Sequence, residues 1–233
     1  MTEFRKDIQG LRALAILAVL IFHINPLKLS GGFVGVDMFF VISGFLITQH
    51  IFRDLEKGTF SLRKFYLKRI RRLYPALIVT LLITSIAVYK IYLPADIQQY
   101  GPSLISTILY VSNIFFLQQS DYFNSELENS PLLHTWSLSV EEQFYIFLPL
   151  LMLLIFCKFR KLFVPLLCVI ACISFLASEL LLDEYRTASF FLSPTRFWQF
   201  MLGGLVAFTP PRDMQKADKA RFDYSCWISA SRL

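Results

Sequence analysis

The chain has 233 residues, of which 55% are hydrophobic and only 17% charged, with 24 Phe and 10 Tyr. A soluble domain carries about 25% charged residues, and one core of this size cannot hide so much apolar surface, so a water-soluble globule is excluded. The net charge is +6, but the basic residues come in short runs between apolar segments. That is the pattern of loops beside a bilayer, not of a nucleic-acid-binding face.

A membrane-crossing helix needs about 20 apolar residues. Candidate segments are 11–25, 33–52, 73–93, 103–119, 133–156, 162–182 and 196–209. Strand-type alternation is absent, which argues against an outer-membrane barrel. The expected fold is therefore all-α, a polytopic bundle of about six or seven hydrophobic helices. Residues 1–209 read as one membrane unit and 210–233 as a polar tail or truncated loop, because the apolar pattern stops at Thr209. The first segment lacks a small-residue cleavage site and reads as a retained anchor. Cys157, Cys168, Cys172 and Cys226 form no CxxC pair. They read as packing residues, neither disulfides nor metal ligands.

Arg12 and His23 lie on the first segment. Eleven residues at about 100° each return them to within roughly 20° of one helix face, about 16 Å apart along the axis. Arg12 alone reads as a snorkelling anchor at the cytoplasmic edge. His23 sits toward the other end, where a neutral imidazole can serve as a base for a hydroxyl.

The second segment holds "GGFVGVDMFFVISGFLIT" at 31–48. Gly31 and Gly35 make a small-xxx-small spacing that permits close helix contact. Asp37 is an acid in an apolar run and calls for a partner such as Arg12, Arg196 or His23. Next comes a basic stretch, 53–72, with Arg53, Lys57, Arg63, Lys64, Lys68, Arg69, Arg71 and Arg72. By the positive-inside rule this stretch and the N-terminus are cytoplasmic and loop 26–32 is outside. Within "FYLKRIRRLYPAL", Arg69 and Arg72 share a face, and such guanidinium pairs suit phosphates. Pro75 is expected in the first turn of the third membrane helix.

After this the charges conflict with a simple count. "KFRK" at 158–161 looks cytoplasmic and the acidic stretch with Asp121, Glu126 and Glu128 looks external. Segment 103–119 is short and carries Ser103, Ser106, Thr107, Ser112 and Asn113, so it is expected to be re-entrant or interfacial; the alternative is that "KFRK" is external. In "LLHTWSLSVEEQFYIFLPLL", helical spacing puts His134, Leu138, Glu141 and Tyr145 on one stripe, with Glu142 and Gln143 further round. Two carboxylates and a histidine in an apolar 20-mer point to function. Arg196 in "SPTRFWQFMLGG" is expected at the outer end of its helix, beside Trp198.

Five segments in order resemble the integral membrane acyltransferase 3 family, of the O-antigen acetylase type. They are Arg12 with His23, "GFVGVDMFFVISGFLI", "FYLKRIRRLYPAL", "LLHTWSLSVEEQFY" and "PTRFWQFMLGG". The resemblance implies transfer of an acyl group, usually acetyl, from cytoplasmic acetyl-CoA or another acyl-CoA. The acceptor is a hydroxyl of an extracytoplasmic glycan or lipid-linked sugar, and the site is a plasma (inner) membrane protein with its N-terminus cytoplasmic. Its implied catalytic group is His23 and Arg12 with Asp37, Glu141 and Glu142. Arg12, Arg69 and Arg72 would hold the donor. His134, Ser137, Tyr145 and Arg196 would meet the acceptor, and Asp37 or Glu141 would orient the His23 imidazole. No tightly bound cofactor, metal or nucleic acid is expected, and the partners are the donor, the acceptor and the bilayer; the sequence sets no oligomeric state. Family members carry further helices after the part matched by 196–209, so the chain reads as C-terminally truncated. A proton-coupled sugar transporter, or an inactive acyltransferase fragment, is the alternative.

Overall fold

The structure is a computed structural model and describes residues 5–120, 130–158 and 162–209. Among the described residues every regular element is helical: α1 (Lys6–Ile24), α2 (Val34–Glu56), α3 (Leu62–Ile91), α4 (Pro94–Ile108), α5 (Ser112–Ser120), α6 (Thr135–Lys158), α7 (Phe163–Leu182), α8 (Arg186–Phe191) and α9 (Ser193–Val206). Of these, α1, α2, α3, α6 and α7 are long and apolar enough to cross a membrane. Large apolar side chains such as Leu14, Leu17, Ile83 and Leu180 stay exposed on their outer faces, which only a lipid surround makes stable.

Side-chain contacts set the helix directions. Phe40 meets Trp136 and Phe52 meets Phe156, so α2 and α6 run parallel. Asp37 meets Arg196, and Phe52 meets Phe208 just beyond α9, so α9 runs parallel to both. Arg69 meets Glu142 while Tyr66 meets Ile146, so α3 is antiparallel to α6. The C-terminus of α1 and the N-termini of α2, α6 and α9 therefore gather at one end, the histidine end. The α2–α3 connection and the α6–α7 junction gather at the other, basic end.

The segment expected to be re-entrant is two helices. α4 starts at the histidine end, where Pro94 supplies a first residue that needs no hydrogen-bonded N–H. The chain reverses at Tyr110, whose φ of 54° is left-handed, and α5 returns toward α8. Buried polar contacts anchor the reversal. Gln143 Nε2 donates to the Tyr110 carbonyl and to Asn113 Oδ1, both at 2.9 Å. Asn113 Nδ2 donates to the Phe191 carbonyl and to Ser193, and Ser193 also hydrogen-bonds to Gln143. Ser112 is hydrogen-bonded to both Thr135 and Ser139 as well. This polar set is why segment 103–119 reads as too polar for a lipid-facing span.

Several expectations are corrected. The third helix does not begin at residue 73. It begins at Leu62, capped by the Ser61 hydroxyl, because the basic run is itself a good helix former; Pro75 is thus interior, not in the first turn. The close α1–α2 contact uses Gly32 and Gly35, where an added Cβ would lie 2.4 Å from the Ala18 and Ala15 carbonyl oxygens, whereas Gly31 faces open space. The tightest contact was not foreseen. A Cβ on Gly44 would sit 2.0 Å from the Phe200 carbonyl oxygen, and one on Gly203 would sit 1.9 Å from that of Val41. α2 and α9 therefore touch backbone to backbone. Segment 196–209 becomes α9, only 14 residues long. Cys168 and Cys172, expected as packing residues, are exposed on α7; Cys226 and the tail after 209 lie outside the described residues.

Candidate active site at the histidine end

His23 stands in the last turn of α1 and is exposed. Its Nδ1 lies 2.8 Å from the Val19 carbonyl oxygen, one turn back. A carbonyl only accepts, so in the neutral ring Nδ1 carries the hydrogen and the Nε2 lone pair meets no hydrogen-bond partner among the described residues. The imidazole is therefore oriented by its own helix. Neither Asp37 nor Glu141, the residues expected to orient it, does so through this contact. His134, at the entrance to α6, meets the His23 ring edge to face, with centroids 4.6 Å apart. Two segments separated by more than a hundred residues thus place their histidines side by side. Ser137 donates to the His134 carbonyl at 3.1 Å and steadies that entrance.

The paired acids of α6 diverge, as adjacent helix positions must. Glu141 turns to α2, where its Oε1 accepts from Ser43 at 2.5 Å and from Tyr145 at 2.6 Å. Glu142 turns to α3 and forms an ion pair with Arg69 at 2.6 Å. The Arg69 guanidinium also lies 3.3 Å from the centre of the Tyr145 ring, a cation–π contact. Ser43, Glu141, Tyr145, Arg69 and Glu142 so make one connected polar scaffold across α2, α6 and α3. Tyr145 is buried at 4% exposure, so it bridges the scaffold and does not face the open end. Arg69 and Arg72, expected to act together, are separated: Arg69 is held by Glu142, while Arg72 is exposed.

Arg12 lies one turn before Ala15, the residue packed on Gly35. Its Nε is buried and has no hydrogen-bond partner among the described residues, so this guanidinium retains donor capacity. Asp37 finds one of its foreseen partners, Arg196, at 3.3 Å, and also accepts from Gln199 Nε2 at 2.9 Å. Arg196 is further tied by Nε to the Phe190 carbonyl at 3.0 Å. Sequence reasoning did not single out Ser43 or Gln199. The available signal was a polar residue inside an apolar run, in "ISGFLI" and "FWQF".

The fold is a helical membrane bundle with two histidines in contact at one end and an Arg69–Glu142 ion pair within it. Residues 5–222 match the acyltransferase 3 family model, described as an acyltransferase domain, and the chain belongs to that family. It is 35% identical over 224 residues to the O-acetyltransferase OatA of Staphylococcus aureus strain NCTC 8325, covering 92% of this chain and 36% of that protein. The match to OatA of strain COL has the same values. A protein of strain MSSA476, whose name assigns it provisionally to O-acetyl transfer, is 34% identical over 93% of this chain and 36% of its own length. The chain thus spans about a third of the length of these relatives. No solved structure matches it.

Proposed function

We propose that the chain is the membrane part of an O-acetyltransferase that moves an acetyl group from acetyl-CoA to a hydroxyl of an extracytoplasmic glycan or lipid-linked sugar. The carrying observation is His23. Its Nδ1 is committed to Val19, its Nε2 is free, and it lies exposed at a bundle end beside His134. Nε2 takes the proton of the acceptor hydroxyl as the oxygen attacks the thioester carbonyl. The C–S bond breaks, and the departing thiolate takes the proton back from the imidazolium. Arg12, with a buried and unpartnered Nε, and exposed Arg72 are suited to the donor phosphates. Arg69 is already held by Glu142 and is left out of that donor contact. The basic α2–α3 end faces the cytoplasm of a plasma membrane under this reading.

The test is transfer of labelled acetyl from acetyl-CoA to endogenous glycan in membranes, comparing wild type with His23→Ala at equal membrane levels. Loss of transfer by about a thousandfold is expected when the base is removed. Undiminished transfer by His23→Ala would overturn the scheme.

A further inference from the structure

We propose that Asp37, Arg196 and Gln199, with Trp136 and Phe190 beside them, form a binding cradle for a neutral pyranose of the acceptor; this rests on the acyl-transfer reading above.

The three polar side chains come from α2 and α9 and meet around one atom. Asp37 Oδ1 accepts from Arg196 Nη1 at 3.3 Å and from Gln199 Nε2 at 2.9 Å. Asp37 Oδ2 remains for another donor, and the Asp37 side chain is 31% exposed. Gln199 is 1% exposed, and with its amide nitrogen bound to Asp37, its Oε1 is buried without a hydrogen-bond partner. A buried acceptor left unmet costs about 1–3 kcal/mol, so an oxygen held in this state beside an accessible carboxylate marks a place for incoming donors.

The charge balance selects the ligand. Asp37 neutralises Arg196, so the site offers no net positive charge to a phosphate, and the carboxylate would repel one. What it offers at its surface is the Asp37 carboxylate next to a guanidinium with donors to spare, while the enclosed Gln199 Oε1 becomes a second acceptor only when its side chain shifts. Neighbouring sugar hydroxyls match that set because each both donates and accepts. The apolar side matches too. Phe190 is 41% exposed, its ring packs on Trp136 at 4.5 Å, and the Arg196 guanidinium lies 4.9 Å from its centre. Such a ring covers the C–H face of a pyranose while polar groups reach its edge. Trp136 is two residues from His134, which touches His23. The cradle and the base are thus at the same, histidine end of the bundle, and the cradle would hold one ring of the acceptor while a hydroxyl meets Nε2.

The test uses the purified full chain in lipid nanodiscs. Tryptophan fluorescence is titrated with methyl pyranosides of glucose, galactose, mannose and N-acetylglucosamine, with sorbitol as a ringless control. A saturable change with at least one pyranoside and none with sorbitol is expected. It should weaken about tenfold in Gln199→Leu and in Phe190→Ala, each compared with wild type at matched thermal stability. No saturable response to any pyranoside, or equal affinity in wild type and both variants, would overturn the cradle. Because binding needs no donor, its failure is separable from failure of the acyl-transfer reading. That reading fails instead if His23→Ala still transfers acetyl, whatever the sugar titration shows.

Discussion

Arg69 carries a charge into the bundle and is neutralised there by Glu142, with side-chain exposures of 19% and 13%. Breaking such a pair leaves one buried charge uncompensated and costs about 3–5 kcal/mol, while replacing both partners by apolar groups is often neutral. Glu142→Leu is therefore expected to lower the melting temperature in detergent sharply. The double variant Arg69→Met with Glu142→Leu should regain most of the loss, and a double variant as unstable as the single one would contradict the pairing. Ser43→Ala removes one of two hydroxyls on Glu141 Oε1 and should cost only about 1 kcal/mol by the same measurement. Two adjacent acids in an apolar segment were legible as exceptional from the residues alone. Their assignment, Glu141 to Ser43 and Glu142 to Arg69, was not, because the partners are 98 and 73 residues away.

At the scale of helices, close approach is decided by glycines. Gly203 allows the α9 backbone to touch α2 at Val41, where an added Cβ would fall 1.9 Å from a carbonyl oxygen. Overpacking of this kind costs about 1–3 kcal/mol or more, and here it also pries apart the helices that carry Asp37 and Arg196. Gly203→Ala should therefore reduce folded yield in size-exclusion profiles, whereas Gly31→Ala, with nothing within 4 Å, should match wild type. The small-xxx-small spacing was right about Gly35 and one residue off at Gly31, where the contact is made by Gly32. Spacing says that two small residues share a face; it does not say which face meets the neighbour. The α4–α5 reversal was readable as a break in apolar character. Its turn at Tyr110 was not, since a left-handed tyrosine has no sequence signature.

For the whole molecule, helix directions bear on the conflict between charge and segment count. With α3 antiparallel to α6 and the α4–α5 pair dipping in between, the chain leaves α3 and enters α6 at the same end. In a background with the native cysteines replaced, Lys28→Cys and Ser130→Cys should react with an impermeant thiol reagent from one face of the membrane. Lys57→Cys should react only from the other. Reaction of Ser130→Cys together with Lys57→Cys would mean that α4–α5 makes a full crossing.

The sequence by itself determined the all-helical membrane class, the family, and the short list of polar residues out of place in apolar runs. Hydropathy and helical period are local quantities, so a window of about 20 residues contains them. Only the tertiary structure decided which of those residues meet. It set the histidines of α1 and the α6 entrance face to edge, gave Arg69 to Glu142 and Arg196 to Asp37, and left Gln199 Oε1 and Arg12 Nε without partners. These pairings depend on crossing and register between distant helices, which in a bilayer are set by close packing and interhelical hydrogen bonds and not by the hydrophobicity the sequence displays.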